Sequence, residues 1–136
     1  MASSVPEITV RWRERMLFDA GPPGRPAILV DGDSRVAVSP VELLLVAAAT
    51  CSATDVVLIL EKQRVALRAL EVGLRGTRRD EQPRRYTALH FVFTLSGDGA
   101  DEVNARRAID LSLEKYCSVV ASLAPDIRVT YDVALR

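Results

Sequence analysis

The sequence predicts an α+β domain built mainly on antiparallel sheet, and three observations carry that expectation. Alternation of apolar and polar residues with period two fills both ends of the chain. A run from Ser39 to Lys62, almost wholly apolar or small, reads as a helix able to bury nearly its whole circumference. A second, amphipathic helix follows Asp101, and hairpin-like links predominate between strands. The 136 residues are expected to form one domain, residues 1–136, large enough for a real core.

The elements follow in order. Residues 8–18 place Ile8, Val10, Trp12, Met16 and Phe18 on one face, with Thr9, Arg11, Arg13 and Arg15 on the other, as one half-exposed strand interrupted at Glu14. The segment GPPGRP (21–26) is a turn, Ala27–Val30 is a second short strand closed by Asp31-Gly32, and Arg35–Val38 is expected as a third. Three signals start the long helix: Ser39 as N-cap, Pro40 at the first helical position, and Glu42 completing a capping box. About two dozen helical residues span roughly 36 Å, long for so small a domain, so sheet and a second subunit are expected to wrap it.

Its length also suits a membrane span, for which about 20 apolar residues suffice. Asp55 lies inside the run with Thr50, Ser52 and Thr54, and much of the rest is alanine. An Asp at the bilayer centre costs about 2.5–3.5 kcal/mol, so a buried helix of a soluble protein is the better reading. Beyond Lys62 the period returns to two with Leu70, Val72 and Leu74, followed by a charged connection, Arg75–Arg85, containing Pro83. Tyr86–Leu95 is the clearest strand, with Leu89, Phe91, Phe93 and Leu95 on one side. Asp101 caps the second helix, whose apolar positions Ile109, Leu113, Tyr116, Cys117, Val120 and Leu123 fit one face until Pro125 stops it. Ile127, Val129, Tyr131, Val133 and Leu135 alternate in a closing strand.

Composition excludes several functions. Lys plus Arg and Asp plus Glu number 18 each, so no net field recruits nucleic acid or an anionic membrane. The arginines of 75–85 are offset by Asp80 and Glu81, with Tyr86 the one aromatic nearby, which reads as a solvated hairpin. The first residues lack the basic-then-apolar pattern of a signal peptide, and two cysteines make no disulfide scaffold; a reducing cytosol is the expectation. His90 is the single histidine and shares its strand face with Val92 and Thr94, so a conventional zinc site is not expected. Neither a Ser-His-Asp constellation nor a phosphate loop is present.

The remaining chemistry belongs to Cys51, in the long helix, and Cys117, on the second. Only packing of the two helices brings them together; a pair that meets can shuttle between dithiol and disulfide. The competing reading is two small buried hydrophobes. Asp55 lies one helical turn beyond Cys51 on the same face, where an unpaired carboxylate raises a thiol pKa and a partnered one is structural; the partnered reading, with an arginine of a second subunit, is preferred.

The string SPVELLLVAAATCSATDVVLILEKQ, followed later by LSLEKYCSVVASL, resembles the OsmC/Ohr family of thiol peroxidases over nearly the whole chain. That resemblance implies an OsmC-like fold, an intertwined homodimer with two sites at the subunit interface, and reduction of organic hydroperoxides without metal, haem or other cofactor. It further implies Cys51 as the peroxidatic cysteine, Cys117 as the resolving one, an intramolecular disulfide between them, and an external dithiol as reductant. Glu42 matches the family glutamate that holds a catalytic arginine, which stabilises the thiolate. Glu42 stands one residue nearer its cysteine than in the family's hydroperoxide reductases, a difference of about 100° on a helix. Helix capping accounts for it equally well. The family arginine of one branch falls near Leu29; Arg25, in the GPPGRP turn, is the best substitute, with Arg35 and Arg11 as the other candidates. These departures place the chain nearer a distinct branch, for which the alternative function is small-molecule binding or redox sensing with little turnover.

Overall fold

The computed structural model describes residues 5–136. It divides after Leu44 into two compact units, the division falling in the first turn of the long helix.

The N-terminal unit is an antiparallel meander of β1 (Thr9–Glu14), β2 (Leu17–Gly21) and β3 (Ile28–Asp31). The expected single strand over 8–18 is instead a hairpin: Trp12 pairs with Phe18, and the chain reverses at Arg15, whose φ is 50°. The Trp12 indole N–H closes the turn on the Arg15 carbonyl at 2.8 Å. No strand forms over Arg35–Val38. The Asp31 carboxylate accepts the backbone N–H groups of Asp33, Arg35 and Val36 at 2.8, 2.9 and 2.9 Å, so those donors are taken by a side chain rather than by a ladder. Those N–H groups hold the Asp31 carboxyl below the usual carboxylate range.

The C-terminal unit packs helices on one face of a second sheet. The helix α1 (Pro40–Lys62) leads into β4 (Ala66–Arg78), antiparallel to β5 (Tyr86–Asp98). The connection carries the arginines of 75–85, several of which close it on its own backbone: Arg78 donates to the Arg84 carbonyl and Arg79 to the Pro83 carbonyl. After β5 come α2 (Glu102–Leu111), a π-helical turn (Ser112–Tyr116), the single turn α3 (Ser118–Ala121) and β6 (Arg128–Leu135). Because this crossover returns the chain to the same end of the sheet, β6 pairs parallel with β5. The alternation seen in Tyr86–Leu95 buries Leu89, Phe91, Phe93 and Leu95 against Val56 and Leu60 of α1 and Ala105, Ala108 and Ile109 of α2.

On α1 the single chain buries one row at spacing four, Ala48, Ser52, Val56 and Leu60. Val46, Val57 and Leu58 remain exposed. The second helix starts as expected, Asp101 and Asn104 forming a reciprocal capping box. It does not run unbroken to Pro125. The π turn inserts an extra residue and the backbone becomes extended at Cys117 (φ −71°, ψ 102°). Tyr116, expected on the buried face, is 50% exposed as a result.

Candidate functional site

Helix packing in the C-terminal unit brings Cys51 and Cys117 together. Cys51 projects from the middle of α1 and is half-buried; Cys117, just beyond the π turn, is 3% exposed, and both are free thiols. Cys51 lies close enough to Cys117 to act on its thiol. Burial pushes the Cys117 thiol up from its ordinary pKa, and the hydrogen bond and charge of Cys51 push the same way. The backbone N–H groups of Val120 and Val119 face its sulfur and act in the opposite direction. The arrangement is a half-buried thiol beside a buried one whose pKa is raised.

Two serines flank this pair, and sequence reasoning passed over both. Ser52 and Ser112 have no exposed surface, and their hydroxyl oxygens lie 2.9 Å apart. The Ser112 hydroxyl donates to Asp55 Oδ2 at 2.9 Å. Within its own chain Asp55 therefore accepts a hydrogen bond from Ser112. One signal was available: Ser52 is the single polar member of the row Ala48, Ser52, Val56, Leu60, and a buried hydroxyl requires a partner.

Glu42 and Arg25 lie in the N-terminal unit. Glu42 Oε1 accepts the Ser39 backbone N–H and the Ser34 hydroxyl, both at 3.0 Å, and Glu42 N–H donates to Ser39 Oγ, so the capping box predicted from sequence is formed. The Ser39 N–H and the two hydroxyls hold the Glu42 carboxyl below its usual range. Arg25 is exposed in the turn after β2, its N–H closing on the Pro22 carbonyl at 3.4 Å. His90 is hydrogen-bonded across to β6, Nδ1 to Thr130 Oγ1 at 2.7 Å and Nε2 to Asp132 Oδ2 at 3.1 Å. Among the described residues, no group of three or more His, Cys, Asp or Glu side chains is placed to hold a metal. A groove of about 500 Å³ opens beside Asp55, lined also by Leu58, Ile59, Lys62, Arg107 and Tyr116.

Residues 31–132 match the family model described as OsmC-like protein. The chain belongs to the OsmC-like protein family. Among relatives of this OsmC-like protein is YhfA of Escherichia coli K12, 41% identical over 123 residues, covering 90% of this chain and 92% of YhfA. A hypothetical protein from Aquifex aeolicus has the same fold with a TM-score of 0.85 at 28% identity, covering 98% of this chain and 99% of that one. The organic hydroperoxide resistance protein OhrB of Bacillus subtilis superposes with a TM-score of 0.61 at 12% identity, over 98% of each chain, a likeness of fold. The fold expected from the two cysteine motifs is thus the fold of this OsmC-like chain.

Proposed function

We propose that this OsmC-like protein is a redox enzyme that reduces organic hydroperoxides through Cys51 and Cys117. The observation that carries the reading is the meeting of a half-buried thiol on α1 with a buried one after the π turn. The Cys51 thiolate attacks one peroxide oxygen; an S–O bond forms, the O–O bond breaks, and the alcohol leaves with a proton. The Cys117 sulfur then attacks the Cys51 sulfenic acid, forming the disulfide and releasing water. An external dithiol restores both thiols and is itself oxidised to a disulfide. The buried Cys117, its pKa raised, fits the resolver; the more open Cys51 fits the attacker. The family resemblance implies an activating arginine held by Glu42; its position falls near Leu29 in this chain, and Arg25 is the substitute candidate. A second copy of the chain completes the site and covers the exposed apolar side of α1, where Val46, Val57 and Leu58 stand. A cytosolic setting suits a cycle that returns to two free thiols.

The test is mass spectrometry of reduced protein after one equivalent of cumene hydroperoxide, with Cys51→Ser and Cys117→Ser in parallel. The wild type should lose two hydrogens, either substitution should abolish that loss, and sulfenic acid should accumulate only in Cys117→Ser. A folded, reduced wild type left unmodified by peroxide ends this reading. The groove beside Asp55 would then favour a small-molecule-binding role, since about 500 Å³ falls within the range of ligand pockets.

A further inference from the structure

Ser112 is anchored at both ends. Its hydroxyl faces Ser52 and Asp55 on α1, each at 2.9 Å. A carboxylate only accepts, so the single Ser112 hydroxyl hydrogen goes to Asp55, and Ser52 is left to donate to Ser112. The carbonyl of the same residue accepts the backbone N–H of Cys117 at 2.7 Å, closing the π turn. The turn carries one residue more than an α-helical turn would, and Cys117 follows it in extended conformation. Two adjacent residues of α1, Cys51 and Ser52, therefore meet the two ends of the π turn, Cys117 and Ser112.

We propose that Ser112, tied to Asp55 and Ser52, is a positioning residue that presents Cys117 to Cys51 and so determines how readily their disulfide closes. Its place in a catalytic cycle rests on the peroxidase reading. The closure itself is an exchange any disulfide oxidant can drive: each Cys51–Cys117 bond formed consumes one oxidised glutathione and releases two reduced glutathiones.

The experiment equilibrates the full chain with glutathione mixtures, quenches with acid, and measures the Cys51–Cys117 disulfide by mass spectrometry for wild type, Ser112→Ala, Ser112→Thr and Asp55→Asn. The readout is the effective concentration of one thiol toward the other. Ser112→Ala, losing a hydrogen bond to a charged group, should lower it about tenfold, equivalent to about 30 mV. Ser112→Thr, which keeps the hydroxyl, should return it to within about twofold of wild type. In a Cys117→Ser background, alkylation of Cys51 should proceed at the same rate with Ser or Ala at 112, which separates positioning from general loosening. A folded Ser112→Ala with the wild-type value overturns the proposal, as does an equal fall in Ser112→Ala and Ser112→Thr. Should Ser112→Ala fail to fold, Asp55→Asn decides: a several-fold fall supports the role and an unchanged value overturns it. A wild type that closes its disulfide here but ignores hydroperoxide ends the peroxidase reading and leaves the positioning role standing. A wild type that forms no disulfide ends both.

Discussion

Iodoacetamide should separate the two cysteines by at least tenfold in rate. An ordinary thiol of pKa about 8.5 is roughly 3% ionised at pH 7. Cys117 lies below that fraction, because burial and then the hydrogen bond and charge of Cys51 raise its pKa. Each unit of increase removes a further factor of about ten from the reactive form. With 3% of its surface exposed, Cys117 also offers the reagent little access, whereas Cys51 is half-buried. The assay alkylates the folded, reduced protein at pH 7 with light reagent, unfolds it, completes the reaction with heavy reagent, and reads the ratio in each cysteine peptide. Raising the pH from 7 to 8 should speed labelling of Cys117 about tenfold, since its pKa is not yet reached. Cys51→Ser removes the neighbouring sulfur's charge but not burial, so Cys117 should react faster there while staying slower than a free peptide thiol. Equal labelling of the two cysteines in the folded protein would refute the assignment of attacker and resolver.

Three further outcomes are expected. Glu42→Gln keeps a capping-box partner for Ser39 but removes the charge that the Ser39 and Ser34 donors stabilise, so the melting temperature should fall slightly at pH 7, and peroxide turnover should fall about tenfold as the arginine-holding role requires; unchanged turnover reduces Glu42 to a cap. Asp31, Glu42 and Asp126 all have carboxyl pKa values below the usual range, so the stability they add is present above the unfolded value of about 4 and lost as pH falls through the folded one. Asp31→Asn should accordingly lower the melting temperature at pH 7 and by less at pH 3. Leu60→Ala, at a fully buried position of α1, should cost about 2–5 kcal/mol by urea denaturation with an unchanged m-value.

Local chemistry made much of the fold legible. Ser39 with Glu42, and Asp101, announced both helix starts, and the Phe91/Phe93 alternation located the central strand of its sheet. The hairpin at Arg15 was hidden because an arginine at positive φ carries none of the Gly or Asn signals of a turn. Arg35–Val38 read as a strand because period two reports side-chain pattern, not the destination of backbone donors, and here Asp31 takes two of them. Projecting the 3.6-residue period past Leu111 put Tyr116 inside; the π turn leaves Tyr116 exposed and buries Ser112, while Cys117 is buried as expected. Strand direction is likewise invisible to alternation, so the parallel pairing of β6 emerged only from the crossover. Of the site, the cysteines were legible by motif, while the serines required knowing which row of α1 is buried.

The hydroxyl pair between α1 and the π turn also bears on why the chain adopts one packing and not several. Ala47, Ala48, Ala49 and Ala53 are among the buried and half-buried positions of α1, a smooth stretch that alone would accept a neighbour at more than one register. Sliding it by one turn would set Ala48 or Val56 opposite Ser112 and strand both serine hydroxyls in the apolar interior. Each stranded group costs about 1–3 kcal/mol, several times the difference between two alanine-rich contacts. The two hydroxyls, with the Asp55 carboxylate beside them, thus act as a ruler: they add little net stability, yet they discriminate between alignments that burial alone distinguishes weakly.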